Sequence, residues 1–292
     1  MKSTLYHLHA TASLHVGTGQ GAGIIDLPIA REKATHLPYV PSSGIKGVLR
    51  EEMRPEPHED SKIWEALFGP RTITDDTGFA GALAIGDARL LCFPVRSLAG
   101  TFAWTTCPFI LARYRREALA VGVAVPDLPD TVPDESALTI ANPVISHAGK
   151  LVLEDLDLNV RGGAETWATH IADAVFKTDA VWAKMFNERF AILPDGVFDF
   201  LAETATEVRA RVRIDANTRT VVKGALWYEE CLPAESLLYG VVGADRARNG
   251  ATAADGTPLG AEDLLKKVSA RARLQLGGNA TVGRGLVNWM MG

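Results

Sequence analysis

Residues 14–50, LHVGTGQGAGIIDLPIAREKATHLPYVPSSGIKGVLR, decide how the rest of the chain is read. Four glycines alternate at Gly17, Gly19, Gly21 and Gly23, and a lone carboxylate, Asp26, follows three residues later. Pro41-Ser42-Ser43-Gly44 then opens a helical segment that carries Lys46 and Arg50 on one side, because residues four apart share a helix face. Ser42 or Ser43 is the expected N-cap. Backbone without Cβ atoms approaches a ligand closely, and the unpaired N–H groups of a helix start attract an anion. The combination predicts a site that holds phosphate. Whether phosphate is also cut there depends on Asp26.

Working outward, residues 6–16 alternate with Leu8, Ala10, Ala12, Leu14 and Val16 on one face, which predicts a half-buried strand. Residues 24–29 read as a short extended arm, 44–53 and 61–68 as helices, and 81–93 as one strand with a turn or bulge at Gly86. A helix is expected over 108–121, a proline- and aspartate-rich loop over 126–133, a strand over 151–160, and one or two helices over 165–186. Residues 207–230 carry the second strong pattern. Val208, Ala210, Val212 and Ile214 alternate with Arg209, Arg211 and Arg213, and Asp215-Ala216-Asn217-Thr218 supplies the turn. This predicts a β-hairpin with a cationic face. A strand over 232–242, a polar loop over 245–260, and a helix and strand over 262–276 lead to the closing run Gly277–Gly285. Strands and helices mingle without a βαβ rhythm, so the expected class is α+β with large insertions.

Composition narrows the function. An apolar share of 47% and a charged share of 22% are ordinary for a globular chain, so a sizeable core is expected. Cys92, Cys107 and Cys231 are scattered without a C-x-x-C spacing, which argues against zinc and against a disulfide framework. No apolar window approaches about 18 residues and the start lacks a signal-peptide pattern, so a soluble cytoplasmic protein with no membrane partner is expected. The net charge of −5 is awkward for nucleic-acid binding, but the bases are segregated. From Lys266 onward the chain has Lys266, Lys267, Arg271, Arg273 and Arg284 and no acid, while Glu51, Glu52, Glu56, Glu59 and Asp60 cluster elsewhere. Such a chain can stack on copies of itself, basic face on acidic face.

Gly17-Thr18-Gly19-Gln20-Gly21-Ala22 fits G-x-G-x-x-A on paper. The extended Gly23–Pro28 segment follows where a helix is required, and residues 35–39 hold no acid, so a dinucleotide site is rejected. No phosphate-binding G-x-x-x-x-G-K-[ST] is present. Asp26 stands apart from other carboxylates, with Glu32 its nearest acidic neighbour, so no two-metal pair is advertised. His15 is the nearest proton carrier, and Glu229 and Glu230 at the hairpin base are further acids that can join Asp26.

Taken together, LHVGTGQGAGIIDLPIAREKATHLPYVPSSGIKGVLR, the hairpin RIDANTRTVVKGALWYEECLP and the closing GGNATVGRGLV resemble the RAMP-superfamily backbone subunits of type III-B (Cmr) CRISPR effectors. The resemblance touches beginning, middle and end in family order. It implies one domain over 1–292: a ferredoxin-like, RRM-type palm, a helical finger insertion over about 54–200, and a β-hairpin thumb over about 204–232. Copies would form a helical filament along a crRNA guide, with other Cmr subunits, and would cut a complementary target RNA at regular intervals. In that family the catalytic aspartate falls on Asp26, with His15 and Glu229 at supporting positions. Ser42, Ser43, Lys46 and Arg50 match the guide-contacting helix, Arg211 and Arg213 lie on the thumb, and Gly283-Arg284-Gly285 matches a guide-facing loop. A divalent ion, Mg2+ or Mn2+, is implied at Asp26, which would bind it or act instead as a base. This chain has Cys231 where relatives often carry tyrosine. An inert guide-binding subunit and a small-molecule phosphate enzyme are the competing readings.

Overall fold

A computed structural model describes residues 1–21, 23–72, 78–129, 131–253 and 255–292; Ala22 of the glycine run and Asp130 of the proline-rich loop lie outside the described residues. The chain begins with β1 (Lys2–Ala10) and, after the glycine arm, runs through β2 (Tyr39–Val40), α1 (Ser42–Glu52) and α2 (Lys62–Phe68). Strands β3 (Leu83–Ile85), β4 (Ala88–Arg96) and β5 (Phe102–Thr106) precede α3 (Pro108–Ala120). Then come β6 (Ser136–Thr139), β7 (Ser146–His147), β8 (Lys150–Leu153), β9 (Leu156–Gly162), α4 (Glu165–Val175), α5 (Ala180–Arg189), β10 (Phe190–Ile192) and α6 (Asp195–Thr204). The last third holds β11 (Glu207–Ile214), β12 (Val221–Cys231), β13 (Leu237–Ala244), α7 (Ala261–Lys267), β14 (Arg271–Gln275) and β15 (Leu286–Met291).

Among the described residues, 13 strands join one sheet in the order β14-β15-β1-β13-β4-β5-β10-β6-β9-β8-β7, with β2 beside β4 and β3 beside β13. Strand β4 serves two neighbourhoods. Arg89, Leu90 and Cys92 pair with β13, and Phe93 to Arg96 pair with β5. The β11–β12 hairpin forms a ribbon of its own. The class is therefore mixed α/β, with one long sheet and helices packed on it.

The strand expected over residues 6–16 stops at Ala10, and Leu5 through Ala10 are all buried. Half-burial was expected because histidines alternate with apolar residues, but both faces are covered. His7 Nε2 lies 3.1 Å from the Tyr114 hydroxyl of α3, and His9 meets Phe176 and Trp182 edge-on. On the other face Tyr6 stacks on Trp289 at 4.4 Å. Residues 81–93 are two strands. Gly86 leaves the ladder between them, donating its N–H to Val241 and accepting from the Tyr6 hydroxyl. Residues 151–160 lie within the β8–β9 hairpin, which turns at Glu154 with φ 47°. The 54–200 region expected as helical also contains strands β3 to β10, which extend the sheet. Short strands buried on both faces, such as Ser136–Thr139 and Phe190–Ile192, carry no alternation to read. No helix among the described residues is long and apolar enough to cross a membrane.

Burial, reinforced by nearby His170, pushes His7 down to about 4. The unfolded chain takes up this proton near pH 6.5, whereas the folded chain refuses it until about pH 4. Stability from neutral His7 is therefore intact above pH 6.5 and falls by up to about 3 kcal/mol as pH drops to 4. Denaturant unfolding at pH 7.5 and 4.5 should show this loss, and His7→Leu should flatten it. An equal pH dependence in both proteins would remove His7 from the account.

Candidate nucleic-acid interface

Beyond β1 the chain makes a loop that closes on itself. Leu14 bridges Leu232, Gly17 bridges Ile29, and Leu27 runs parallel to Glu229 at the base of the hairpin. Leu27 N–H donates to Tyr228, and Glu230 N–H returns a bond to Leu27. The extended arm expected over 24–29 thus becomes a partner of β12, and this pairing places Asp26. Asp26 Oδ2 accepts the Tyr228 backbone N–H at 2.8 Å. Its other oxygen has no hydrogen bond among the described residues, and the side chain is exposed. It lines an open cleft of about 410 Å³ with Gln20, Gly21, Leu27, Gly224, Leu226 and Trp227. Glycine loop, carboxylate and hairpin base meet in this one cleft.

Glu229 and Glu230 are consecutive on β12 and so point to opposite sides. Glu230 holds the arm: Oε2 accepts from Ile29 N–H at 3.1 Å, and Oε1 accepts from Arg31 at 2.6 Å and Thr206 at 3.0 Å. Glu229 turns to the terminal loop. Its Oε2 accepts from Arg284 at 2.6 Å and from Asn279 at 3.2 Å, and its Oε1 accepts from the Trp227 indole at 2.8 Å. Arg211 stands 3.7 Å away. Burial works to raise the Glu229 carboxyl, but the Trp227 bond and the Arg211 and Arg284 charges outweigh it and hold the group below the usual carboxylate range. Glu229 is therefore a buried, ionised anchor and Arg284 its counter-ion. The Arg284 guanidinium faces inward, with side-chain exposure of 6%, and also reaches Cys231 Sγ at 3.2 Å.

His15 is buried against the same junction. Its Nδ1 donates to the Glu230 carbonyl at 2.6 Å, which assigns the proton to that nitrogen, and its own carbonyl accepts from Gly278 N–H at 2.9 Å. No bond joins His15 to Asp26 among the described residues, so it positions the loop. The terminal loop needs its glycines: at Gly277 (φ 74°) a Cβ would lie 2.2 Å from the His15 carbonyl, and at Gly285 (φ 78°) 2.0 Å from the Leu276 carbonyl. Gly283, also left-handed at φ 77°, is exposed and caps the short turn Ala280–Val282.

Helix α1 differs from expectation. Its N-cap is Pro41, and neither Ser42 nor Ser43 makes a side-chain cap bond. Asp87, at the break between β3 and β4, fills that role by accepting Ser42 N–H at 2.7 Å. The helix start therefore already holds a carboxylate. Lys46 donates to the Leu83 carbonyl at 2.8 Å, and burial, with Arg50 nearby, lowers its pKa. Arg50 donates to Phe68 and Pro70 carbonyls and lies 4.6 Å over the Trp64 ring. No hydrogen bond or ion pair joins α1 to the Asp26 cleft among the described residues. Its exposed residues are Ser43, Gly44, Gly47, Glu51 and Glu52.

The hairpin presents two unlike faces. Arg209 and Arg211 pair across from Glu229 and Trp227, and exposed Arg213 sits at the irregularity between Val212 and Ile214. The opposite face, with Val208, Val212, Ile214, Val221, Leu226 and Tyr228, is exposed and apolar. Sequence reading missed Trp227, Tyr228, Asn279, Arg31 and Asp87, since no spacing marks side chains or amides joined only by long-range pairing. No cluster of three or more His, Cys, Asp or Glu is arranged to hold a metal ion among the described residues.

Comparison with known proteins identifies the family. A relative named CRISPR system Cmr endoribonuclease Cmr4, from Pyrococcus furiosus, is 36% identical over 293 residues, covering 98% of this chain and 95% of the relative. The crystal structure of oligomeric Cmr4 from the same organism superposes with a TM-score of 0.73 at 28% identity, covering 100% of this chain and 98% of that one. A chain from a type III-B Cmr-beta complex bound to cognate target RNA shares the fold, with a TM-score of 0.70 at 17% identity over 100% and 97% of the two chains. The profile of the RAMP superfamily matches residues 7–288. The chain belongs to the RAMP superfamily, in its Cmr4 family.

Proposed function

We propose that this chain is the filament-forming backbone subunit of a type III-B Cmr effector, which binds a crRNA guide and cuts complementary target RNA at regular intervals. The observation that carries the reading is the exposed carboxylate of Asp26, held by Tyr228 N–H at the foot of a protruding hairpin. The order β15-β1-β13-β4, with α1 after β1 and α7 between β13 and β15, supports a ferredoxin-like, RRM-type palm under that hairpin. The hairpin's exposed apolar face suits insertion beside stacked bases. A nucleotide pushed out of A-form stacking frees its 2′-hydroxyl to come in line with the next phosphorus.

Asp26 then takes the proton of that hydroxyl through its unbonded oxygen. The 2′-oxygen attacks phosphorus, the bond to the 5′-oxygen breaks, and that oxygen takes a proton from solvent. His15 and Glu229 act by holding arm, hairpin and terminal loop in register. The guide is held through phosphate and sugar, since base pairing reads the sequence. Its contacts are Ser42, Ser43, Lys46 and Arg50, Arg211 and Arg213, and the backbone of Gly283-Arg284-Gly285. Lys46 and Arg50 exchange their present carbonyl partners for phosphate. For the expected Mg2+ or Mn2+, Asp26 offers one unbonded oxygen, while Glu229 is committed to Arg284. These residues do not fit a protein-held ion, and no step is routed through one.

The test is a reconstituted complex with end-labelled complementary target. Regularly spaced products should carry 2′,3′-cyclic phosphate and 5′-hydroxyl ends, read by resistance to phosphatase and ready 5′ phosphorylation by kinase. Products with 5′-phosphate would exclude the 2′-hydroxyl route, and binding without any cut would favour an inert backbone subunit.

A further inference from the structure

A cavity of about 660 Å³ lies apart from the Asp26 cleft. It lies on the sheet face that carries His9, Asn288 and Arg273, which are cross-strand partners on β1, β15 and β14 and therefore point the same way. Phe176 and Trp182, stacked at 6.1 Å, close it from the α4–α5 side. At its floor the buried His9 Nε2 meets Glu235 Oε2 at 2.6 Å. Glu235 is held in the left-handed region at φ 73°, its N–H on Ala10 and its carbonyl on the Trp104 indole. A non-glycine residue in that conformation stores strain, which persists where the surroundings enforce it and gathers at working sites. Arg271 reaches across the mouth to Thr178 at 2.7 Å, while Arg273 is exposed beside it with no ion pair among the described residues. Both arginines belong to the acid-free basic tail, here on the edge strand of the sheet, and none of these residues takes part in the function proposed above.

We infer that this cavity is a second, independent nucleotide site, taking an aromatic base against Trp182 and its phosphate on Arg271 and Arg273. The volume suits one nucleotide. The half-buried indole offers a π-face for stacking, which tolerates any base. Two guanidiniums at the rim match a phosphate by charge-assisted bonds. Half-buried Asn288 and the His9–Glu235 pair, fixed by its 2.6 Å contact, supply the donors and acceptors that a base edge requires. The occupant is either a free nucleoside monophosphate or one unit of a single-stranded RNA lying along the β14 edge, and the chemistry of recognition is the same.

The experiment is calorimetric titration of the full chain, purified free of nucleic acid, with AMP and separately with hexa-adenylate. Saturable binding is expected, weakened by about tenfold or more in Arg271→Ala/Arg273→Ala and in Trp182→Leu. Binding of AMP with this sensitivity assigns a free nucleotide, and binding of the oligomer alone with the same sensitivity assigns an RNA strand. In the assembled complex the double arginine variant should leave the spaced cuts unchanged. The inference fails if neither ligand binds, or if binding is indifferent to the arginine pair while circular dichroism shows the variants folded.

Discussion

Asp26→Asn is expected to reduce target cleavage by about 10²–10⁴-fold while guide binding, assembly and target binding persist. Asparagine is the informative substitution, because its amide oxygen can still accept the Tyr228 N–H that fixes the arm on the hairpin. What is lost is the charge and basicity of the unbonded oxygen. Asp26 is exposed and no other protein group bonds to its side chain among the described residues, so its removal should leave stability within about 0.5 kcal/mol. The measurement is single-turnover cleavage of a labelled complementary target by the reconstituted complex, with target affinity measured in parallel. A variant that still cuts at the wild-type rate would displace Asp26 from the chemistry. One that loses target binding along with cutting would make it an organiser of the loop.

The second large effect lies a few residues away and concerns stability. Arg284→Ala should destabilise the fold by about 3 kcal/mol, because it removes the nearest cation from the buried Glu229 carboxylate and leaves it Asn279, Trp227 and Arg211 at 3.7 Å. For a chain of this size the melting temperature should fall by on the order of 10 °C. Adding Glu229→Gln removes the stranded charge, and the double variant should recover part of the loss, since a buried pair costs less to delete whole than to halve. The pH dependence has a definite sign. The Glu229 carboxyl is held below its unfolded value, so its contribution is present above the ordinary carboxylate range and is lost as pH falls through the depressed folded value. Thermal melts of the wild type and the two variants at pH 7.5 and pH 4 read both effects. An Arg284→Ala protein as stable as wild type would show that the guanidinium is not the counter-ion of Glu229.

The two predictions separate what the opening stretch first presents together. Residues 14–50 read as one phosphate cradle, yet tertiary pairing sends their halves to different places. Gly17 pairs with Ile29 and Leu27 with the hairpin base, whereas α1 packs on β3 and β14 with its cations bonded to carbonyl groups. The alternation of Arg209, Arg211 and Arg213 correctly announced a hairpin, because a ribbon exposed on both faces keeps its period-two pattern. The same rule failed for β1, where burial of His7 and His9 hides a second covered face behind polar residue types. It failed again for β6 and β10, which are too short and too buried to alternate.

The sequence by itself determined the elements with strong local signals and the family to which they belong: the glycine arm with Asp26, helix α1, the hairpin and the closing glycine loop. These depend on backbone freedom and on the pitch of neighbouring side chains, both of which are written along the chain. Only the tertiary structure decided how they combine. That the Tyr228 amide holds Asp26, that Asp87 rather than a serine caps α1, and that Arg284 faces Glu229 instead of solvent all depend on contacts between residues tens to hundreds of positions apart. Such pairings are selected by burial, since a charge removed from water must find its partner wherever the folded chain brings one. No spacing rule in one dimension carries that information.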